Sequence, residues 1–222
     1  MISIALDGPA GAGKSTLARA AAKKLGYIYV DTGALYRAVG LKFSRKGYGT
    51  ELDCNIEKIL EDTSVDIRFI GEEQHVFLDG DDVNSLIRTP EISMMASAVS
   101  AKPPVRAFLL ELQRKLAREH NVIMDGRDIG TVVLPDATVK VFVTATPETR
   151  ADRRYKELTE KGMKVNYDEI LADIKTRDYN DSHRAVAPLK VADGGIVFDT
   201  DSLDFEAALC ALMKIIEEGV KQ

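Results

Sequence analysis

Five short apolar segments recur along the chain, at residues 2–7, 27–31, 121–125, 138–145 and 194–200. Short, mainly apolar runs of this length are typical of buried strands in a parallel sheet. Between and after them lie segments with helical spacing of apolar residues, at 14–25, 33–47, 55–62, 90–119 and 203–218. We expect Pro103 and Pro104 to interrupt the fourth of these helical segments. The alternation predicts an α/β fold with a doubly wound, five-stranded parallel sheet.

Residues 64–85 depart from this pattern. They hold short runs of β-branched and aromatic residues, separated by a Gly-Glu-Glu sequence at 71–73 and an Asp-Gly pair at 79–80. Such runs with turn residues between them are typical of antiparallel hairpins. The segment therefore predicts a small antiparallel sheet, and we bound this β insert at residues 63–89.

A third kind of pattern occupies residues 148–184. This segment has nine basic and nine acidic residues and few large apolar side chains. Because it cannot build a core of its own, we predict a mobile helical arm. The remaining residues, 1–62, 90–147 and 185–222, form the predicted core of a single domain.

Composition narrows the possible functions. The 222-residue chain is 45% hydrophobic with a net charge of −5, which favours a globular protein and argues against a general nucleic-acid binder. Two cysteines without CxxC spacing and three histidines argue against a disulfide framework or a structural zinc site. No apolar run reaches the roughly 20 residues of a membrane helix, and no basic stretch precedes the first apolar run. We expect a cytoplasmic monomer with no membrane or nucleic-acid partner.

The glycine-rich turn after the first apolar run carries the clearest chemistry. Its sequence fits G-x-x-x-x-G-K-[ST] between a predicted strand and a predicted helix. Glycines let backbone N–H groups converge on an anion, and the following helix adds its N-terminal dipole. Lys14 supplies a charge for the β- and γ-phosphates, and the Ser15 hydroxyl is a Mg²⁺ ligand in such loops. The predicted cradle for ATP comprises Gly8, Pro9, Ala10, Gly11, Ala12, Gly13, Lys14, Ser15 and Thr16.

Missing motifs exclude several triphosphate-binding classes. The chain has no Asn-Lys-x-Asp sequence, which a GTPase would use to read guanine, and no apolar strand ending in Asp-Glu, which is typical of motors and large ATPases. A small P-loop kinase remains. Two alternatives stay open here: a kinase of a sugar acid or shikimate, and a non-catalytic ATP-binding regulator.

Polar residues at the ends of two predicted strands indicate an acceptor site. Thr32 and Arg37 follow the second strand, and Arg127 and Asp128 follow the segment NVIMD. Ligands of open parallel sheets bind at the carboxyl ends of strands, so these residues suit an anionic acceptor. Arg106 lies in the helical stretch after Pro104. For any one arginine the alternative is a solvated surface charge.

The arm contributes two groups of charged residues at helical spacing. One consists of Arg150, Arg153 and Arg154, and the other of Arg177, Asp181 and Arg184. One interpretation is a surface helix laced by salt bridges. The other is a lid whose arginines stabilise the charge of the transferred phosphoryl group and exclude water. In the lid, Asp181 could bind a sugar hydroxyl.

Four sequence segments together resemble the bacterial cytidylate kinases. They are DGPAGAGKST, DTGALYR, DGRDIGTVV and IKTRDYNDSHRAVAPL, and the β insert adds to the resemblance, which covers nearly the whole chain. The resemblance implies transfer of a phosphate from ATP to CMP or dCMP, giving ADP and CDP or dCDP, with Mg²⁺. It also distinguishes the chain from adenylate kinases, which have a helical acceptor-binding segment in place of the insert.

The resemblance also implies residue roles. Thr32, Arg37 and Arg127 would face the acceptor phosphate; Ser97, Arg106 and Asp128 would read cytosine; Arg177 and Asp181 would contact the ribose, and Arg184 the phosphates. The implied catalytic set is Lys14, Arg127, Arg177 and Arg184. A carboxylate at Asp128 makes physical sense because it accepts from the cytosine amino group and repels the uracil carbonyl. Thr32 replaces a serine common in the family and keeps the hydroxyl.

Overall fold

Two sheets organise the molecule. The computed structural model describes residues 1–71 and 73–221, and its strands are β1 (Ser3–Asp7), β2 (Ile28–Asp31), β3 (Val65–Ile70), β4 (Glu73–Leu78), β5 (Asp81–Asp82), β6 (Val122–Gly126), β7 (Val139–Thr144) and β8 (Ile196–Asp199). The larger sheet has the order β2-β6-β1-β7-β8, and its neighbouring strands are all parallel. The predicted five-stranded parallel sheet is therefore confirmed.

Eight α-helices accompany these strands in the described residues. They are α1 (Lys14–Leu25), α2 (Thr32–Arg45), α3 (Ile56–Glu61), α4 (Pro90–Ser100), α5 (Pro103–Glu119), α6 (Pro147–Glu160), α7 (Tyr167–His183) and α8 (Phe205–Val220). A five-residue π-helical turn, Ile129–Val133, follows β6. The break between α4 and α5 lies just before Pro103, as predicted. Within residues 1–71 and 73–221, none of the helices has the length and apolarity needed to cross a membrane.

The central strand of the larger sheet, β1, is covered on both faces. In β1, Ile4 and Leu6 belong to a core that also includes Leu17 of α1 and Leu209 of α8. Ala5, between them, belongs to the opposite core, formed with α2, α4 and α5. Successive side chains of a strand point to opposite faces, so burial of both faces explains why three consecutive residues of β1, from Ile4 to Leu6, are apolar.

The β insert forms the antiparallel sheet β3-β4-β5. Asp79 and Gly80, between β4 and β5, both have positive φ, 52° and 94°, as a type I′ hairpin turn requires. The predicted Asp-Gly turn is thus confirmed. The Gly-Glu-Glu prediction is wrong at Glu73, which pairs with Ile70 and belongs to β4. Glu72 lies outside the described residues.

The insert is attached to the end of core strand β2 through the Gln74 side chain. The Asp31 N–H donates to Gln74 Oε1 (2.8 Å), and Gln74 Nε2 donates to the Asp31 carbonyl (3.2 Å). Val76 and Leu78 of β4 are fully buried and join the core beside α2. These contacts hold the insert beside the carboxyl ends of the parallel strands.

Helices α6 and α7 form the arm. Few large apolar side chains pack within it, as predicted: Ile174 is buried, and the rings of Tyr155 and Tyr167 meet edge to face at 6.1 Å. The expectation that Arg150, Arg153 and Arg154 act as one group needs correction, because they do not act together at one place. They project to three surroundings because a helix turns about 100° per residue, so small spacing differences decide which neighbour each meets.

Arg150 fixes the base of the arm to the phosphate-binding loop. Its buried guanidinium donates to the carbonyls of Ala10 and Ala145 (2.9 Å each) and pairs with Asp178 of α7. Arg153 donates to the Thr200 carbonyl (2.6 Å), and Arg154 pairs with Glu157 at the surface (2.8 Å). We infer that Arg150 and Arg153 hold the arm to the core, and that Arg154 is a surface charge.

Candidate active site

The phosphate-binding loop joins β1 to α1 and needs glycine at defined positions. Gly8 has a φ of 145°, and a Cβ there would lie 1.9 Å from the Val143 carbonyl oxygen. Gly13, with a φ of 82°, is the N-cap of α1. Because Gly8 faces a fixed backbone atom in a conformation that other residues avoid, no side chain fits at this position.

Lys14 is buried at the start of α1, and its ammonium group donates to the Pro9 carbonyl (2.7 Å) within the same loop. Burial lowers the pKa of Lys14, and the nearby Arg127 lowers it further, while Asp125 and Asp7 oppose the shift. The ammonium group therefore lies inside the loop, beside the backbone that would surround a bound phosphate.

Ser15 and Asp125 place two oxygen ligands next to Lys14. The Ser15 hydroxyl donates to Asp125 Oδ2 (2.5 Å), and the Tyr29 hydroxyl donates to Asp125 Oδ1 (3.3 Å). Burial raises the pKa of the Asp125 carboxyl, and the charge of Asp31 adds to the shift. A hydroxyl and a carboxylate are the hard oxygen ligands that Mg²⁺ takes, so this pair fits that cation. Asp125 was not predicted as a site residue, although it ends the apolar segment 121–125.

A cleft of about 330 Å³ extends from the loop across the carboxyl ends of β2 and β6. All nine predicted acceptor residues line it: Thr32, Arg37, Ser97, Arg106, Arg127, Asp128, Arg177, Asp181 and Arg184. Of the predicted cradle, the lining residues are Ala10, Gly11, Lys14 and Ser15; Gly8, Pro9, Ala12, Gly13 and Thr16 belong to the loop but do not line the cleft. Six basic and four acidic side chains line the cleft, so its net charge of +2 contrasts with the net charge of −5 of the whole chain.

Asp128 lies between two buried guanidinium groups at one end of the cleft. Its Oδ2 accepts a short hydrogen bond from Arg106 Nη2, and its Oδ1 accepts from Arg184 Nη2 at 3.3 Å. Each of the three side chains is less than a tenth exposed. Burial lowers the pKa of the Arg184 guanidinium, and Asp128 opposes that shift. Helix α5, the turn after β6 and the end of the arm therefore converge on one carboxylate.

The arm meets the core through a second ion pair. Arg127 Nε donates to Asp181 Oδ2 on α7 at 2.8 Å. Arg177, one turn earlier on α7, lines the cleft but pairs with the exposed Asp173 at 3.1 Å. Asp181, predicted to bind a sugar hydroxyl, is thus engaged by Arg127 in this structure.

Asp31 organises the side of the cleft formed by β2 and α2. It caps α2 by accepting from Ala34 N, and its Oδ2 pairs with Arg37 (2.8 Å) and Arg88 of the insert (3.4 Å). The Nε atom of Arg37 is buried and has no hydrogen-bond partner among the described residues. The Thr32 hydroxyl donates to the Asp125 carbonyl (2.7 Å), which fixes the start of α2 against β6.

Several residues that line the cleft were not predicted from the sequence. Tyr36 lies inside the quoted segment DTGALYR, and its ring centroid is 5.5 Å from the Arg106 guanidinium carbon. Asp31 and Asp125 each end a predicted strand, which was a usable signal. Ser93 and Ser100 on α4 had none, because only the packing of α4 against α2 brings them to the cleft.

Comparison with known proteins places this geometry in a family. A family model described as cytidylate kinase matches residues 4–218. Relatives named cytidylate kinase include those of Caldicellulosiruptor bescii, 50% identical over 99% of this chain and 97% of the relative, and Carboxydothermus hydrogenoformans, 48% identical over 96% of each. A solved shikimate kinase from Bacteroides thetaiotaomicron shares the fold, with a TM-score of 0.50, 14% identity and coverage of 100% and 99%.

Proposed function

Because this chain belongs to the cytidylate kinase family, we propose that its cleft transfers the γ-phosphate of ATP to CMP or dCMP, giving ADP and CDP or dCDP. The protein is a phosphotransferase of the P-loop kinase fold. One observation carries the assignment of residues: a single cleft joins the phosphate-binding loop to a buried carboxylate, Asp128, held between Arg106 and Arg184.

The loop from Gly8 to Thr16 holds the phosphates of ATP. Its backbone N–H groups and the N-terminus of α1 face the anion, and Lys14 exchanges its bond to the Pro9 carbonyl for a phosphate oxygen. Ser15 and Asp125 would hold Mg²⁺, which neutralises charge on the β- and γ-phosphates when bound. The hydrogen bond between these two side chains supports that assignment, since both already face one point.

Arg37, Arg127 and Thr32 bind the phosphate of the acceptor. The position of Arg37 and Thr32 supports this role, because both line the cleft at the carboxyl end of β2, where ligands of open parallel sheets bind. Arg127 lies between Lys14 and Asp181, where it can face both the transferred group and the acceptor. An acceptor phosphate at neutral pH is largely ionised, so the attacking oxygen needs no general base.

Asp128 reads the base, with Arg106 and Ser97. A carboxylate accepts from the exocyclic amino group of cytosine, whereas uracil presents a carbonyl oxygen at that position. Arg106 is buried and its orientation is fixed by Asp128 and by the Ser100 carbonyl, which accepts from Nη1 at 3.2 Å. Fixed donors and acceptors favour discrimination because a mismatched base leaves buried groups unpaired.

Arg177, Asp181 and Arg184 come from the arm and complete the site above the core. We assign Arg177 and Asp181 to the ribose and Arg184 to the phosphates. When the arm closes, the arginines neutralise charge that spreads over the transferred group, and closure excludes water as a competing acceptor. The catalytic contribution of Lys14, Arg127, Arg177 and Arg184 is therefore alignment and charge neutralisation, without a covalent intermediate.

A direct assay tests this assignment. The protein is incubated with ATP, Mg²⁺ and, separately, CMP, dCMP, UMP, AMP and shikimate, and the products are separated by chromatography. CDP and dCDP are expected, with much less UDP. Turnover of shikimate alone would identify a kinase of another acceptor on the same fold, and no turnover of any acceptor would favour an ATP-binding regulator. Cytoplasmic location and a monomeric state stay predictions.

A further inference from the structure

Asp7 is a buried carboxylate that the proposed mechanism does not use. It ends β1, directly before Gly8, and is 4% exposed. The register of the sheet places it beside Gly126 of β6. Burial raises the pKa of Asp7 to about 6, although two backbone hydrogen bonds favour the ionised form. A carboxylate in such a costly position needs a reason.

Its two oxygens cap the π-helical turn that follows Asp128. The Ile129 N–H donates to Asp7 Oδ1 and the Gly130 N–H donates to Oδ2, each at 2.7 Å. The turn itself cannot satisfy these first amides, because its own hydrogen bonds begin later, with Val132 N and Val133 N donating to the Asp128 carbonyl.

The far end of the same turn is also fixed from outside. The Arg114 guanidinium on α5 donates from Nε to the Val133 carbonyl and from Nη2 to the Val132 carbonyl, at 3.0 Å each. Asp7 therefore satisfies the leading N–H groups and Arg114 the trailing carbonyls. The turn that directly follows Asp128 is therefore held at both of its ends.

The residue that caps this turn is not the residue that normally would. Asp128 is the N-cap residue of the turn, and an aspartate there normally accepts from the N–H groups two or three positions later. In the described structure the Asp128 side chain makes no capping bond and pairs with Arg106 and Arg184 instead. The amides that compete for its carboxylate include that of Gly130, which Asp7 already engages.

We propose that Asp7 is a positioning residue for base recognition: by capping the turn in place of Asp128, it leaves the Asp128 carboxylate free to face the acceptor base. This links the end of the strand that carries the ATP loop to the group that reads the acceptor. The inference rests on the proposed function, since Asp128 must read the base for its release from capping to matter.

The test is Asp7→Asn, which keeps the volume but faces one of the two amides with an NH₂ group. That amide then lacks an acceptor, and the Asp128 carboxylate is drawn back to it. The ratio of kcat/KM for CMP to that for UMP is expected to fall about fivefold or more, the discrimination that one good base contact provides. Any change in the KM for ATP, caused by the lost charge near Lys14, is expected to be the same with either acceptor.

A double-substitution cycle separates this role from a purely structural one. In the Asp128→Asn background, Asp7→Asn should leave the CMP/UMP ratio where Asp128→Asn alone puts it. Equal loss of activity towards CMP and UMP, with the ratio unchanged, would overturn the proposal. If Asp128→Asn itself leaves the ratio unchanged, the proposed base reader is wrong, so the two failures are distinguishable.

Two further variants separate this role from a general loss of stability. Asn55→Ala removes an ordinary helix cap, the Oδ1 that accepts from Lys58 N, and should lower the melting temperature without changing the ratio. Asp7→Ser keeps one acceptor in a smaller side chain, and its crystal structure should show Asp128 turned towards the Gly130 amide. Asp128 still paired with Arg106 there would overturn the proposal.

In the wild type, slow hydrogen exchange of the Ile129 and Gly130 amides is expected, and fast exchange of both would also overturn the proposal.

Discussion

Replacing Asp128 by asparagine removes the one carboxylate between two buried guanidinium groups. The side chains of Arg106, Asp128 and Arg184 are 8%, 6% and 9% exposed, so solvent cannot replace the lost charge. Removing one partner of such a buried pair costs about 3–5 kcal/mol. For a protein of this size that corresponds to a melting temperature lower by about 6–20 °C. Loss of one base contact, at about 1–3 kcal/mol, predicts that CMP/UMP discrimination falls by about 5- to 150-fold.

Thermal unfolding and steady-state kinetics measure the two effects on the same Asp128→Asn preparation. Glu111→Gln is the matched control, because Glu111 also pairs with an arginine, Arg118, but is 73% exposed. An exposed pair is worth at most about 1 kcal/mol, so this control should melt near the wild type. The buried pairing and the base-reading role are both refuted if Asp128→Asn has the same melting temperature as the control and the ratio of kcat/KM for CMP to that for UMP is unchanged.

Lys14→Met is expected to lower kcat, because it removes a charge that stabilises the transferred phosphate. It should not lower the melting temperature, because the charge that it removes is buried. An increase in the KM for ATP alone would contradict this prediction. Gly8→Ala should abolish folding, as judged by circular dichroism. Gly13→Ala, with open space around its Cβ, should lower the free energy of unfolding by only about 1–2 kcal/mol. Similar losses in the two variants would refute the steric argument. Because the pKa of Asp7 is raised to about 6 from 3.8, the folded state binds its proton more tightly than the unfolded state. The contribution of Asp7 to the free energy of unfolding should therefore fall by up to about 3 kcal/mol as the pH rises from 4 to 7. In urea titrations the difference in unfolding free energy between wild type and Asp7→Asn should change by this amount over that range, and parallel curves would contradict it.

Local sequence determined the strands, most helices and the phosphate-binding loop. An apolar run followed by glycines and a helical pattern has one low-energy local solution, so β1, the loop and α1 could be predicted without their neighbours. The same holds for the Asp79-Gly80 turn, where φ values decide the residue types. The rule that parallel strands end at one edge of the sheet was enough to place four residues near one another: Thr32, Arg37, Arg127 and Asp128.

Pairings between distant charges could not be predicted in this way. Asp128 meets Arg106, 22 positions earlier, and Arg184, 56 positions later, and Asp125 meets Ser15 across 110 positions. Sequence spacing contains no information on such contacts, because they depend on how helices and strands from separate parts of the chain pack. Each carboxylate had several arginines as plausible partners, and only the fold selected among them.

The contrast is sharpest where similar residues have different surroundings. Arg150 and Arg154 lie one turn apart on α6, yet Arg150 is buried against the phosphate-binding loop and Arg154 is a surface charge. Asp7 and Asp128 each adjoin a glycine or a turn, yet Asp7 caps that turn and Asp128 faces the cleft. The sequence by itself determined which chemical groups the protein has and on which local elements they lie. The tertiary structure decided which of them are desolvated and paired, because burial and long-range register are properties of the packed sheet and not of any segment.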